Sequence, residues 1–263
     1  MQTLISSIDK QGVLTLCMNR PKVHNAFDAL MIGELTAALE SANEDDTVRL
    51  VVITGTGTCF SAGADLNWMR SLVNASREEN ERDALQLAQL MRSLNFLSKP
   101  TLARINGAAF GGGVGLIAAC DITVAADNAL FGTTEVRLGL VPAVISPYVI
   151  HRIGETNARR YFLTAERFDS QRACEIGLVQ HAVAIERLDE TVKGIVGQIL
   201  RGGPKAVTHG KRLVFDITGH NADVQKTIDE KTARLIADLR VSEEGQEGLA
   251  AFLEKRNPGW IKE

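Results

Sequence analysis

Twice along this chain an apolar, β-branched run gives way to a cluster of very small residues that opens into a helix. Leu50-Val51-Val52-Ile53-Thr54 precedes Ser61-Ala62-Gly63-Ala64-Asp65, and Thr101-Leu102-Ala103-Arg104-Ile105 precedes Phe110-Gly111-Gly112-Gly113-Val114-Gly115. Strands that deliver glycine and alanine backbone to a helix start demand an α/β fold. They also expose amide N–H groups, because the first turn of a helix has no internal partners for its donors and carries partial positive charge. Two such turns aimed at one volume make a cradle for an oxyanion. The plainer reading is that the glycines serve tight turns and close helix–strand packing. One segment leaves the choice open; the pair in one domain favours the cradle.

The 263 residues suffice for a full α/β core with a helical appendage. With 45% hydrophobic and 23% charged residues the composition is that of an ordinary globular protein, and a net charge of −3 gives no electrostatic reason to expect nucleic acid or an anionic membrane as partner. The start, Met1-Gln2-Thr3-Leu4-Ile5, enters a strand pattern at once, without secretory or transit features. No apolar run approaches the roughly 20 residues a bilayer span needs. Cys17, Cys59, Cys120 and Cys174 are dispersed, as expected of free thiols in a reducing cytoplasm.

Leu4–Ile8 and Val13–Met18 around Lys10-Gln11-Gly12 predict a β-hairpin. Asp28 suits the cap of a helix over 29–43 with Leu30, Leu35, Ala38 and Leu39 on its inner face. Ser76 suits the cap of another through Leu94, and a third is expected over 112–120, followed by a strand at Ile122–Ala125. After Ser146 the pattern turns helical: 148–153, 155–163, 170–176, 187–200, 204–215 and 221–240, with one strand expected at Leu178–Val183. Gly202-Gly203-Pro204 breaks this run and divides a core, 1–202, from a helical module, 203–263. The expected architecture is a spiral of repeated strand–strand–helix units.

Several chemistries are set aside. Gly111-Gly112-Gly113-Val114-Gly115 is not GxGxxG, and no Gly-Lys-Ser/Thr follows, so neither a dinucleotide nor a P-loop reading holds. There is no GxSxG or HExxH, and the only SxxK, Ser7 to Lys10, falls in a strand and turn. His24, His151, His181, His209 and His220 lack metal-ligand spacing. Glu135, between the polar Phe131-Gly132-Thr133-Thr134 and the apolar Leu138–Val141, is the best acid/base candidate. Apolar walls raise a carboxyl's pKa toward neutrality.

The two turns, together with Asn19-Arg20-Pro21-Lys22-Val23-His24-Asn25-Ala26-Phe27 and Phe131 to Pro142, resemble the crotonase (enoyl-CoA hydratase/isomerase) superfamily over almost the whole chain, to Ala251–Arg256. Gly63-Ala64-Asp65-Leu66-Asn67-Trp68-Met69 and Glu135 to Pro147 look most like bacterial methylglutaconyl-CoA hydratases of leucine breakdown, with isohexenylglutaconyl-CoA hydratases a similar branch. The resemblance implies an enoyl-CoA hydratase that adds water reversibly to an α,β-unsaturated thioester, with no metal and with CoA as part of the substrate. The backbone N–H groups of Ala64 and Gly112 would hold the enolate oxygen, and Glu135 would manage the proton. A β-carbon at Gly111, Gly112 or Gly113 would push the thioester away. Lys22, Val23, His24 and Ala26 would line the pantetheine and adenine path, Ala62, Asp65 and Leu66 the adenine and thioester end, and Phe252 and Lys255 the nucleotide end, from the same or a neighbouring subunit. Asp65 also suits a helix cap, and Trp68 and Met69 an acyl pocket. The helical module would build a trimer, often paired as a hexamer, although its apolar stripe could equally cover its own core.

The chain departs from the family at one place. Hydratases usually carry a first glutamate two positions after the third glycine; here that position is Gly115. Glu135 then works alone, or Asp121, Ser146, Tyr148 or His151 assists, each of which also has a structural reading: Asp121 as a turn carboxylate, Ser146 as a helix cap before Pro147, and His151 on a helix face. A single base equally suits a Δ3,Δ2-enoyl-CoA isomerase, and a lost glutamate suits a non-catalytic acyl-CoA-binding paralogue. Arg70, Arg104 and Arg137 are candidates for a distal carboxylate on the acyl group.

Overall fold

The computed structural model describes residues 1–262. Ten strands lie in chain order: β1 Leu4–Ile8, β2 Val13–Met18, β3 Leu50–Gly55, β4 Cys59–Ser61, β5 Thr101–Ile105, β6 Ala108–Phe110, β7 Ile122–Ala126, β8 Leu130–Gly132, β9 Phe168–Asp169 and β10 His181–Val183. They form two sheets, β1-β2-β3-β5-β7-β10 and β4-β6-β8-β9. Apart from the β1–β2 hairpin and the β8–β9 edge, neighbours run parallel. The repeat is plain in this order: β3/β4, β5/β6 and β7/β8 each give the first strand to the large sheet and the second to the small one. The expected spiral of ββα units is therefore the fold.

Ten helices follow the same count: α1 Ala29–Glu44, α2 Leu66–Val73, α3 Arg77–Asn95, α4 Gly112–Ala119, α5 Ser146–Thr164, α6 Ser170–Glu175, α7 Leu188–Arg201, α8 Pro204–Thr218, α9 Ala222–Arg240 and α10 Glu243–Glu254. Local chemistry sets their starts. Asp28 accepts from Met31 N, Asp65 from Asn67 N and Trp68 N, and Ser76 with Glu79 forms a full capping box. Gly154, at φ 75°, breaks α5 into the two expected pieces.

Three expectations need correction. On α1 it is Met31 and Ile32 that join Leu35, Ala38 and Leu39 inside, while Leu30 is exposed. Of Leu178–Val183 only the last three residues pair as a strand; Leu178 and Val179 are buried in the preceding turn. Ser146 lies inside the first turn of α5 rather than capping it, its hydroxyl donating to Ala143 O at 2.7 Å.

The main core lies between the sheets and α1, α3, α4 and α5, centred on Phe27, Phe60, Phe131, Leu35 and Leu90. A smaller cluster joins α3, α9 and α10 through Ala84, Ala88, Ala233, Ile236 and Leu249. α9 thus lies along α3, and α10 packs on the segment that carries Glu135.

Candidate active site

Both small-residue turns are anchored by groups that leave particular amides free. Phe27 forms a parallel bridge with Ala64, its N–H donating to Gly63 O at 2.7 Å and its O accepting from Asp65 N at 2.8 Å. A residue bridged this way points its own N–H away from its partner strand. Ala62 N donates to His24 O, and Gly63 N to Ser61 Oγ, so the neighbouring amides are satisfied. Ala64 N–H remains available and Ala64 faces the cavity. At the second turn Gly111, with φ 50°, donates to Gly132 O and swings Gly112 into the first position of α4. An N–H at that position has no intrahelical acceptor.

The two turns touch. Gly63, at φ 89°, and Gly111 approach so closely that a Cβ on Gly111 would stand 3.9 Å from Gly63 Cα and 3.3 Å from Glu135 Oε1. A Cβ on Gly112 would sit 2.9 Å from the Phe27 ring, and one on Gly113 3.0 Å from Ser61. Packing beneath the turn therefore favours glycine at both positions.

Glu135 opens a short 3-10 turn, Glu135–Leu138, closed by Gly139 in the left-handed region. Its Oε2 is buried without a hydrogen-bond partner. Burial pushes its pKa up to about 7, against the opposing pull of the Glu135 and Thr134 backbone N–H groups. Ala64, Gly111, Gly112 and Glu135 line one cavity of about 460 Å³. Its further wall is apolar: Trp68, Met69 and Leu72 from α2, Leu87 from α3, Val144 and Ile145 before α5, and Ile236 and Leu249 from α9 and α10.

Of the other expected binding residues, Ala62 and Phe252 line this cavity, and Phe252 comes from the chain's own α10. Lys22 and Val23 lie in an exposed turn, His24 is left-handed at φ 53°, and Ala26 is buried beside Phe27. None of these four lines the cavity, nor do Asp65, Leu66 or Lys255. Asp65 is occupied as the cap of α2 and as an ion-pair partner of Arg20 at 2.9 Å; Lys255 ends α10 in the left-handed region.

No proposed helper reaches Glu135. Asp121 accepts from Thr101 and pairs with Lys211, and the His151 ring lies against that of His220, centroids 3.6 Å apart and tilted by 33°. The buried Tyr148 lies with them around a second cavity. At Gly115 a Cβ would fall 2.3 Å from Ile145 Cγ2, so the place of the missing glutamate is filled by hydrocarbon. Arg70 pairs with Asn67 and Arg104 with Asp189; only Arg137 of the three expected cations lines the cavity.

Two supporting residues escaped the sequence reading. Arg20 pairs with Asp65 and with Asp28 at 3.0 Å, so one guanidinium holds the caps of α1 and α2. Asn25, fully buried and left-handed at φ 54°, donates to Thr56 O and Cys59 O and accepts from Arg20 N. The available signal was an asparagine, a residue type that tolerates the left-handed region, in the segment after Pro21.

Residues 9–263 match the family model described as enoyl-CoA hydratase/isomerase. The chain belongs to that family. It is 34% identical over 254 residues to a crotonyl-CoA hydratase of Syntrophomonas wolfei, spanning 96% of this chain and 95% of that one. A 2,3-dehydroadipyl-CoA hydratase of Escherichia coli is 32% identical over 250 residues, spanning 95% of each. The crystal structure of an enoyl-CoA hydratase from Shewanella pealeana superposes with a TM-score of 0.79 at 42% identity, covering 98% of this chain and 96% of that one. Membership makes this a hydro-lyase family enzyme whose CoA is part of its substrate.

Proposed function

We propose that the protein hydrates a branched glutaconyl-type enoyl-CoA, 3-methylglutaconyl-CoA or isohexenylglutaconyl-CoA, in the cytoplasm. The thioester oxygen lies between Ala64 N–H and Gly112 N–H, whose hydrogen bonds strengthen as enolate charge develops. Glu135, ionised, takes a proton from water as the oxygen bonds to the β-carbon. The protonated carboxyl then gives that proton to the α-carbon, so one water is added in total. Lys22, Val23, His24, Ala26, Asp65, Leu66 and Lys255 serve the CoA moiety outside the cavity, and Phe252 the passage between. The observation that carries this reading is the unpartnered buried oxygen of Glu135 beside two turns with free amides. Incubation with 3-methylglutaconyl-CoA and crotonyl-CoA, with product analysis, tests it; unchanged substrate in both would overturn it.

The hydrocarbon packing at Gly115 supports a second reading, since one carboxyl suffices to move a proton between carbons. A Δ3,Δ2-enoyl-CoA isomerase would convert a 3-enoyl-CoA without taking up oxygen from labelled water. Residues 203–263 form, on this proposal, the module through which three chains or a multiple of three assemble.

A further inference from the structure

The apolar wall of the cavity holds one cation that it did not need for packing. Arg240, the last residue of α9, lines the cavity among Trp68, Met69, Leu72 and Ile236, with its side chain only 14% exposed. Its Nη1 donates to Asp83 Oδ2 at 3.0 Å and to Asn80 Oδ1 at 3.3 Å. Among the described residues Nε and Nη2 have no such partner. The other oxygen of Asp83 accepts from Trp68 Nε1 at 2.9 Å. One carboxylate behind the wall therefore fixes both the indole and the guanidinium that face the cavity. The remaining cavity cations are placed differently: Arg256 is paired with Glu247 and Glu254, Arg167 lies 4.9 Å over the Phe110 ring, and Arg137 is exposed.

The guanidinium's Nε and Nη2 keep contact with the open cavity and are free to bond an acceptor that enters it. The planar guanidinium fork matches a carboxylate, with two parallel charge-assisted bonds. We infer that Arg240 is a specificity-determining residue, which binds a carboxylate at the end of the acyl chain remote from the thioester. Asp83 is its positioning residue. This rests on the reading of the cavity as an acyl-CoA site.

Binding and turnover separate the two claims. Glutaryl-CoA and butyryl-CoA, which cannot be hydrated and differ by one carboxylate, are titrated calorimetrically into the wild type and Arg240→Gln. Glutaconyl-CoA and crotonyl-CoA are compared by kcat/KM. The wild type is expected to prefer the carboxylated member of each pair, and the variant to lose at least about 30-fold of that preference. Arg240→Lys should keep part of the preference. Because each comparison is a ratio within one protein, a general loss of folded enzyme cancels. An unchanged ratio in Arg240→Gln, or a wild type that prefers butyryl-CoA, overturns the assignment. Selective glutaryl-CoA binding with no hydration of either enoyl-CoA would leave Arg240 in place and overturn only the hydratase reading.

Discussion

A carboxyl that exchanges protons near neutrality must be made by its surroundings, and at Glu135 the cause is burial without a partner for Oε2. Two outcomes follow for Glu135→Gln. Loss of the titrating group should lower kcat by about 10²–10⁴-fold, and the acidic limb of the wild-type kcat/KM profile, with its midpoint near the pKa of about 7, should vanish. Stability should move the other way. The folded pKa lies above the unfolded one, so the stability present below about pH 4 is lost as pH rises through about 7, where the buried carboxylate must ionise. Glu135→Gln should therefore be more stable than the parent at pH 8, by up to about 3 kcal/mol, and no more stable at pH 4. Urea denaturation at both pH values checks this; equal midpoints at pH 8 would contradict the burial argument. The buried setting of Glu135 was legible in the polar-then-apolar sequence around it, whereas the place of Arg240 was not. Nothing around Leu239-Arg240-Val241 marks a cavity residue, because Asp83 and Trp68 meet it only through the fold.

At the scale of elements, caps were legible and contacts were not. Asp28, Asp65 and Ser76 act on amides two or three residues away, so local sequence contains the whole interaction. Leu30 was assigned to the wrong face because Met31 and Ile32 present an equally apolar stripe one step round the helix. Gly115 shows the same limit: its importance comes from Ile145, thirty residues on in sequence, as 145 − 115 shows. Restoring the family's usual carboxylate by Gly115→Glu should not raise hydration of crotonyl-CoA. Overpacking against Ile145 should instead destabilise the protein by about 1–3 kcal/mol or more, and Ile145→Ala should recover part of that loss. A faster hydratase from the single substitution would show that the segment yields. Asp65→Ala removes the α2 cap and half of the Arg20 clamp beside Ala64. It should cost about 2 kcal/mol in stability and lower kcat with crotonyl-CoA.

For the whole molecule the repeated ββα order was legible because β-branched runs and small-residue turns recur together. The second sheet was not, since β4, β6 and β8 are three residues each and β9 is two. The surface also carries an unburied apolar face. On α8, Leu213, Val214 and Ile217 are exposed, Ile217 by 79%. If this face joins copies of the chain, light scattering should give a mass of three chains or a multiple, and Ile217→Asp with Leu213→Asp should reduce it to one. A monomeric wild type at micromolar concentration would count against that role.

Phe252 and α10 close over the same chain's Glu135, and so every group assigned to chemistry or to acyl recognition belongs to a single polypeptide. In a mixed population, a chain lacking Glu135 cannot borrow one from its neighbour. Two altered alleles, one at Glu135 and the other at Arg240, should fail to restore the preference for glutaconyl-CoA over crotonyl-CoA when expressed together. Activity should rise in simple proportion to the fraction of intact chains.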